Sequence, residues 1–386
     1  MATAQPDMAA LEGSESGPPR WVYGLVALGL LYCFLVSISL MGASFKLFGA
    51  GFAETLIKGC TRPVVGLFIG ILATGLVQSS STTTSLVVGF VGGGVLPIEM
   101  AVPLIMGANI GTTITNLIVA MGFVTRKEDF RRAFAGATVH DFFNLGAVLV
   151  LFPLELKFHM ILNTAKRLTL LFDSAGGAKF SSPLKLIIKP TVNAIKHFFN
   201  DTLNFSDQTT GIVLFAIAIA VLIFSLVFLV KTLRVLIVAR TERFVNNYLF
   251  RNDFTAFLLG IAITVLVQSS SITTSVIVPL VGAGVVTIHR CYPFTLGANI
   301  GTTCTALLAS LATVTVTQGG SVGVTAAFAH LAFNVFGIAI FYPLKRIPIF
   351  CARRMADLAV KSKTAAIAFF AAVFFGLPLL IILLTK

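Results

Sequence analysis

QSSS at residues 78–81 is followed by GANIGTT at residues 107–113, and the chain repeats both segments at 268–271 and 297–303. The offset is 190 residues for both segments. Within the 39-residue stretch that contains them, 23 residues are identical between the two copies. Self-similarity at one fixed offset indicates two structural units of the same kind.

The repeat extends beyond these two segments, because His140 and Asn144 recur at the same offset as His330 and Asn334. The register therefore predicts two units, each ending in an apolar span that carries a histidine and an asparagine. In chain order we predict a disordered cytoplasmic tail at 1–21, a first transmembrane unit at 22–154, an extracytoplasmic connector at 155–210, a second transmembrane unit at 211–344, and a basic loop with a C-terminal transmembrane helix at 345–386.

The composition places the chain in a lipid bilayer. Of its 386 residues, 56% are hydrophobic and 11% are charged, and the mean hydropathy is +0.95. A soluble domain carries about 25% charged residues, so we expect an all-α polytopic membrane protein whose spans are apolar runs of about 20 residues. The formal net charge of +13 comes from Lys and Arg between these runs. Such residues set topology, and we expect no nucleic acid partner.

Two regions, 64–124 and 254–317, are apolar but interrupted by glycine and proline. Non-helical backbone at membrane depth survives only where it is buried in protein or lines a wet cavity, so the interruptions predict broken helices and re-entrant helical hairpins. The loop at 125–132 is basic, whereas its partner at 315–322 has no Lys or Arg. Because basic loops favour the cytoplasm, corresponding loops are predicted on opposite sides of the membrane. This is the pattern of an inverted-topology repeat.

The repeated segments carry hydroxyl and amide oxygens without net charge. Such oxygens, with the carbonyls of unwound backbone, suit Na⁺, while the N-termini of broken helices attract an anion. The segments therefore predict a site that holds a cation and an oxyanion side by side; the alternative is that the hydroxyls only pack and bond to neighbouring backbone. The candidate oxyanion ligands are Gln78, Ser79, Ser80, Ser81, Asn109, Gln268, Ser269, Ser270, Ser271 and Asn299. Candidate Na⁺ ligands in the same segments are Gln78, Thr112, Thr113 and Thr303.

Asp141 is an acid inside a predicted span. Placing it there costs about 2.5–3.5 kcal/mol on insertion scales, which makes it a functional candidate by default. We interpret it as a counter-charge for Na⁺; the alternative is an ion pair with Arg131, Arg132 or His140. Asn144 lies one turn after His140 and faces a similar direction, so the repeated amides are also site candidates. The repeated histidines are either ligands or hydrogen bonders between helices.

Serines, a histidine and an aspartate could also suggest an intramembrane hydrolase. His140 and Asp141 are adjacent on a helix and point about 100° apart, so they cannot form a catalytic relay with each other. The sequence has no HExxH or P-loop motif. We therefore expect no enzyme activity and no organic cofactor.

The paired QSSS and GANIGTT segments, together with FRRAFAGATVHD at residues 130–141, closely resemble the type II sodium-dependent phosphate cotransporters. The resemblance covers roughly residues 22–344. It implies Na⁺-coupled symport of inorganic phosphate, mainly as the divalent ion, with both QSSS hairpins lining the transport site. Asp141 occupies the position of an aspartate in members that move net charge, which implies electrogenic transport with three Na⁺ ions per phosphate. The family's sodium-site positions are matched by Asn144, Ser269, Thr302 and Thr305.

Two departures from the vertebrate members bear on these expectations. Ala298 stands where they often have serine, which removes one sodium oxygen. The connector at 155–210 has no cysteine, whereas theirs carries a large cysteine-bridged loop. The absence resembles the bacterial members and implies a bacterial inner membrane, with a plasma membrane as the alternative. The polar residues at the start of the chain predict that the N-terminus lies in the cytoplasm.

Two other functions remain open from the sequence. One is a Na⁺-coupled carrier of a different oxyanion, such as sulfate or a carboxylate. The other is a passive anion channel or phosphate exporter, although such a path gains nothing from Asp141 and would more naturally use basic residues. The sequence leaves the oligomeric state, the ion affinities and the side of the C-terminus open.

Overall fold

The computed structural model describes residues 19–48, 62–77, 79–174, 183–248, 252–314 and 320–385. These residues form helices, turns and loops, and none of them lies in a strand. The all-α class predicted from the sequence is therefore confirmed. Most of the predicted tail at 1–21 lies outside the described residues, and the first helix begins at Arg20.

The helices from residue 20 to residue 197 cover the predicted first unit and most of the predicted connector. They are α1 (Arg20–Phe48), α2 (Pro63–Val77), α3 (Ser80–Gly92), α4 (Ile98–Ile110), a 3-10 turn (Gly111–Thr113), α5 (Ile114–Met121), α6 (Lys127–Phe158), α7 (Met160–Ser174) and α8 (Pro183–His197), with a π turn at Phe198–Thr202.

The second unit repeats this order. Its helices are α9 (Asp207–Tyr248), α10 (Asp253–Val267), α11 (Ser270–Gly282), α12 (Ile288–Val314) and α13 (Gly320–Phe341). After this unit come α14 (Arg346–Lys361), α15 (Lys363–Ala371), a π turn (Ala372–Gly376) and α16 (Leu377–Leu384).

Five helical segments of the described chain are long and apolar enough to cross a membrane: Lys127–Phe158, Asp207–Ser225, Ile288–Leu311, Ser321–Phe341 and Lys363–Leu384. Shorter apolar helices, such as α2 and α3, lie between them. With 15 and 13 residues and a rise of 1.5 Å per residue, α2 and α3 are each about 20 Å long. Neither can cross a hydrocarbon core of about 30 Å.

In each unit the short helices fold into a hairpin. A Cβ placed on Gly66 would lie 3.4 Å from the carbonyl oxygen of Met100, and one on Gly111 would lie 2.6 Å from the Cβ of Thr74. The starts of α2 and α4 therefore lie together, as do their ends, so the two helices run in the same direction and α3 returns between them. Gly94 and Gly284 turn the chain after the returning helices at φ values of +77° and +76°, which glycine adopts without strain.

The two units interlock. α3 of the first unit packs against α12 and α13 of the second, and α11 of the second packs against α5 and α6 of the first. α7 packs on α13 while α14 packs on α6, and α1 pairs with α9. Each serine-rich helix is thus held in place by the opposite unit.

The basic segment after residue 345, predicted as a loop, is helical. It forms α14, whose buried residues Ile349, Ala352 and Ala356 recur at helical spacing. The basic stretch after residue 230 is helical as well, since α9 continues as far as Tyr248. Lys and Arg are good helix formers, so a high basic content alone does not indicate a loop.

The two GANIGTT copies adopt different backbones. In the first unit the 3-10 turn at Gly111–Thr113 separates α4 from α5, whereas in the second α12 continues through Gly301–Thr303. Identical sequence at both places means that the surrounding contacts decide the local conformation. The repeat is therefore approximate at this point.

Gly297→Ala should destabilise the protein, because the added methyl would overlap the backbone carbonyl oxygen of Phe257, which cannot rotate away. Overpacking of this kind costs roughly 1–3 kcal/mol. Thermal unfolding of the detergent-purified protein, followed by circular dichroism, measures the effect. Gly24→Ala is the matched control, since its Cβ would meet nothing within 4 Å. Equal melting temperatures for the two variants would contradict the close approach of α10 and α12.

Candidate functional site

Each QSSS segment contains the N-cap residue of the helix that follows. Ser79 and Ser269 have extended backbones, and their hydroxyl oxygens accept hydrogen bonds from the amides of Thr82 and Ile272 at 3.2 and 3.4 Å. A serine in this position satisfies one of the amides that a helix leaves unpaired at its start. The other amides of the first helical turn have no partner within the helix and point toward the non-helical residues that precede it.

The non-helical residues before α3 and those before α11 lie close to each other. The hydroxyl of Ser81 donates to the backbone carbonyl of Gln268 at 3.2 Å, so the start of α3 lies against the end of α10 and the start of α11. Gln268 itself has a left-handed backbone with φ of 55°, which separates these two helices. Ser80, Ser81, Ser270 and Ser271 are all buried. Two helix N-termini therefore converge on the same buried region, while Gln78 lies outside the described residues.

A chain of hydrogen bonds crosses between the units next to this region. His140 donates from Nε2 to Oδ1 of Asn299 at 2.5 Å, and Asn299 donates from Nδ2 to Oδ1 of Asn144 at 2.9 Å. Asn144 in turn donates to the backbone carbonyl of Asn109 at 3.1 Å. All four residues are buried. The histidine is therefore a hydrogen bonder between helices, one of the two roles considered from the sequence.

The second unit makes the corresponding contacts with longer distances. His330 donates from Nε2 to Oδ1 of Asn109 at 3.3 Å, and Asn334 donates to the backbone carbonyl of Asn299 at 3.4 Å. Nδ1 of His330 and Oδ1 of Asn334 have no hydrogen-bond partner within the described chain. The second half of the network is thus looser and has spare hydrogen-bonding capacity.

The side chains of Asn109 and Asn299 are already engaged in this network. Asn109 donates to the carbonyl of Ile105 at 3.0 Å and accepts from His330, while Asn299 bonds to His140 and Asn144. The predicted role of both asparagines in oxyanion binding stays a prediction. Their geometry assigns them a second task, which is to hold the GANIGTT segments of the two units together.

Asp141 is fully buried, and neither carboxylate oxygen has a hydrogen-bond partner within the described chain. Nδ1 of His140 lies 3.8 Å away. Arg131 pairs with Glu128 and Asp357, and Arg132 pairs with Asp129, so the predicted alternative of an ion pair with either arginine is not formed. A buried carboxylate without donors is an expensive arrangement, and a bound cation would satisfy it.

One threonine hydroxyl of α12 contacts the chain break before α11, and others bond within α12. Thr305 donates to Oε1 of Gln268 at 2.8 Å, while Thr302 and Thr303 donate to backbone carbonyls one turn back, at 3.0 and 2.6 Å. Thr112 does the same in the first unit at 3.2 Å, and the side chain of Thr113 lies outside the described part. A hydroxyl that donates its proton in this way keeps its lone pairs available to a cation.

Asn116 was missed by the sequence analysis. Its buried Oδ1 accepts from the hydroxyls of Thr274 and Ser275, both at 3.0 Å, and so ties α5 to α11 across the two units. Its repeat partner is Ala306, and a search guided by symmetry therefore passes over it. The one feature of the sequence that could have indicated Asn116 is a polar amide side chain within an apolar helical segment.

Two interlocked helical units around a buried polar centre are typical of membrane carriers. Among the described residues no Lys or Arg is buried, so neutral groups and the carboxylates of Asp141 and Glu155 provide the polar interior. The family described as Na⁺/Pi-cotransporter matches residues 33–174 and 221–381. The chain belongs to this family, which is one of transporters rather than enzymes, and the resemblance inferred from the sequence is confirmed.

Similar proteins carry matching names. The sodium-dependent phosphate transport protein 2A of Rattus norvegicus is 36% identical over 424 residues, which cover 92% of this chain and 66% of that protein. The sodium-dependent phosphate transport protein 2B of Homo sapiens is 33% identical over 443 residues, which cover 92% and 64%. The chain thus spans just under two thirds of the length of these relatives. No solved structure matches it significantly.

Removing both partners of the shortest cross-unit hydrogen bond should have a non-additive effect on stability. His140→Ala and Asn299→Ala should each destabilise the protein by about 1–3 kcal/mol, because each leaves a buried polar partner unsatisfied. The double variant should lose about 0.5–3 kcal/mol less than the sum. Thermal unfolding of the four proteins measures this coupling.

Ser362→Ala provides the control for this cycle. Ser362 caps α15 by accepting from the amide of Ala365 at 3.2 Å, and its loss should cost about 1 kcal/mol. Combined with His140→Ala, it should add without coupling. Simple additivity of His140→Ala and Asn299→Ala would mean that their hydrogen bond does not join the units.

Proposed function

We propose that this protein is a sodium-coupled symporter that carries inorganic phosphate into the cell. Transport is electrogenic, with three Na⁺ ions per divalent phosphate, and proceeds by alternating access. The protein resides in a bacterial inner membrane or another cell membrane, with its N-terminus in the cytoplasm. The observation that carries the proposal is the meeting of the two QSSS helix N-termini in a buried region, in a chain whose relatives are named sodium-dependent phosphate transport proteins.

The converging N-termini supply the phosphate site. Each helix start carries unpaired amides and about half a positive charge from the helix dipole. The amides of Ser80 and Ser270, with the neighbouring hydroxyls, are available to phosphate oxygens. Because no Lys or Arg side chain is buried among the described residues, these partial charges balance a divalent anion only in part. Phosphate therefore binds well only when cations are already present.

Sodium supplies the missing charge. Asp141 provides a full negative charge for one ion, and hydroxyl and amide oxygens of Asn144, Ser269, Thr302 and Thr305 provide ligands for others. The proposed order is Na⁺ first and phosphate second. The coupling is then electrostatic, because each bound Na⁺ lowers the free energy of the incoming anion.

Alternating access follows from the two-unit plan. Each hairpin packs on helices of the opposite unit, so a relative movement of the units transfers the hairpins from one set of contacts to another. With inverted topology, the same rearrangement opens the site to the other side of the membrane. The proposed re-entrant hairpins bring their tips to the membrane midplane, where the site remains fixed.

Phosphate uptake into proteoliposomes should require Na⁺ and increase with an inside-negative potential. The test compares uptake of labelled phosphate under an inward Na⁺ gradient with uptake under an equal K⁺ gradient. Sulfate and a dicarboxylate, added as competitors, test for another oxyanion as substrate. Equal uptake in both salts would reject coupling and favour a passive channel or exporter.

Asp141→Gly should retain Na⁺-dependent uptake and lose the net current, because it removes one negative charge together with the Na⁺ ion that this charge holds. Current and labelled uptake measured on the same proteoliposomes give the charge moved per phosphate, which should fall to about zero. Wild-type charge per phosphate in this variant would rule out the counter-charge role.

Glu155→Gln is the matched control for Asp141→Gly. Glu155 is a buried carboxylate on the same helix, but its oxygens accept from the amides of Ile161 and Leu162 at 2.6 and 3.3 Å. Its replacement should reduce stability and leave the charge per phosphate unchanged. A changed ratio in this control would mean that any lost carboxylate on α6 alters the current.

A further inference from the structure

A basic cleft opens at the end of the molecule where α6 begins. Its volume is about 480 Å³, and it lies between α6, the turn from α11 to α12, and α14. The polar groups on its walls belong to Arg131, Arg132, Thr287, His289, Arg353 and Asp357. The cleft is separate from the candidate transport site, which is built from the QSSS and GANIGTT segments.

The charges of the cleft are only partly balanced. Arg131 pairs with Glu128 at 3.1 Å and with Asp357 at 3.6 Å, and Arg132 pairs with Asp129 at 2.7 Å. Arg353 has no carboxylate within 4.0 Å in the described part of the chain, and its Nη2 lies 3.2 Å from Nε2 of His289. The walls therefore leave one guanidinium without an anionic partner.

Arg353 lies on the side of α14 that faces the cleft. Its neighbours Ala352 and Ala356 are buried against the protein, whereas Arg353 is exposed to the cleft. A guanidinium has planar, paired donors that match the oxygens of a phosphate group. The cleft also has an apolar floor of Val281, Val286 and Ile288, and its volume exceeds what one phosphate ion needs.

The outer surface of α14 has the character of a helix that lies at a membrane surface. Ile347, Phe350 and Leu358 are exposed together with Arg354. The guanidinium of Arg354 lies over the ring of Phe350 at 5.2 Å. Exposed apolar and basic side chains on one helix are typical of residence at the boundary between headgroups and acyl chains, which brings the cleft to headgroup level.

We propose that this cleft binds the phosphate group of an anionic ligand through Arg353, with Arg131 and Arg132 completing the positive wall. An anionic phospholipid headgroup and free phosphate share this chemistry. The position of α14 favours the headgroup, since basic pockets between helices at the membrane surface suit anionic lipids. The basic loop at 125–132, which leads into α6 at the cleft, is predicted to face the cytoplasm.

Arg353→Gln should weaken lipid binding by about tenfold, the order expected for losing charge-assisted hydrogen bonds. Native mass spectrometry of the full chain in detergent counts bound phosphatidylglycerol, with phosphatidylcholine as the neutral comparison. Arg354→Gln is the matched control, because it removes the same charge from the adjacent residue, which does not line the cleft. Thermal unfolding verifies that both variants fold.

The second part of the experiment measures the binding of free phosphate. Titration calorimetry with inorganic phosphate in Na⁺-free potassium buffer compares the wild type with Arg353→Gln and Arg354→Gln. Phosphatidylglycerol binding that depends on Arg353 supports the headgroup as ligand, and phosphate binding that depends on Arg353 without lipid binding supports free phosphate. If neither ligand distinguishes Arg353→Gln from Arg354→Gln, or if phosphatidylcholine binds as well as phosphatidylglycerol, the proposal is overturned.

Discussion

The hydrogen bonds that His140, Asn144 and Asn299 exchange at the centre of the protein are the constraint on which the rest depends. At membrane depth no water satisfies a buried amide or imidazole, so each of these groups needs a protein partner. The sequence of each unit provides polar groups whose partners lie in the other unit. Neither unit is therefore complete by itself, and the crossing of α3 and α11 into the opposite unit follows from the same requirement.

Much of this architecture can be predicted from the sequence. Hydropathy indicates which segments span the membrane, and the fixed repeat offset indicates which residues of the two units are equivalent. The pairing of His140 with Asn299 cannot be predicted in that way, since a register identifies residues that correspond and not residues that touch. Asn116 cannot be identified from the repeat, because the equivalent residue in the second unit is Ala306. The helix α14 was taken for a loop because basic charge was weighed above the spacing of Ile349, Ala352 and Ala356.

The distribution of charge separates two kinds of site. No arginine is buried among the described residues, and Arg131 and Arg132 are paired with the carboxylates of Glu128 and Asp129. Among the described residues the interior contains the carboxylates of Asp141 and Glu155 and neutral polar groups, and no Lys or Arg. A permanent cation in the interior would bind an anion tightly with or without Na⁺. Leaving it out makes anion binding conditional on mobile cations, which is the physical content of the proposed coupling.

The 3-10 turn at Gly111–Thr113 has no equivalent in α12, and the histidine contact of 2.5 Å in one direction corresponds to 3.3 Å in the other. Two identical halves that exchanged conformations would give inward-open and outward-open states of equal free energy. Imperfect repetition removes that degeneracy. Under the proposed alternating access, the empty carrier would then have a preferred resting orientation even at zero membrane potential, and the difference between its halves would set which side of the membrane it samples first.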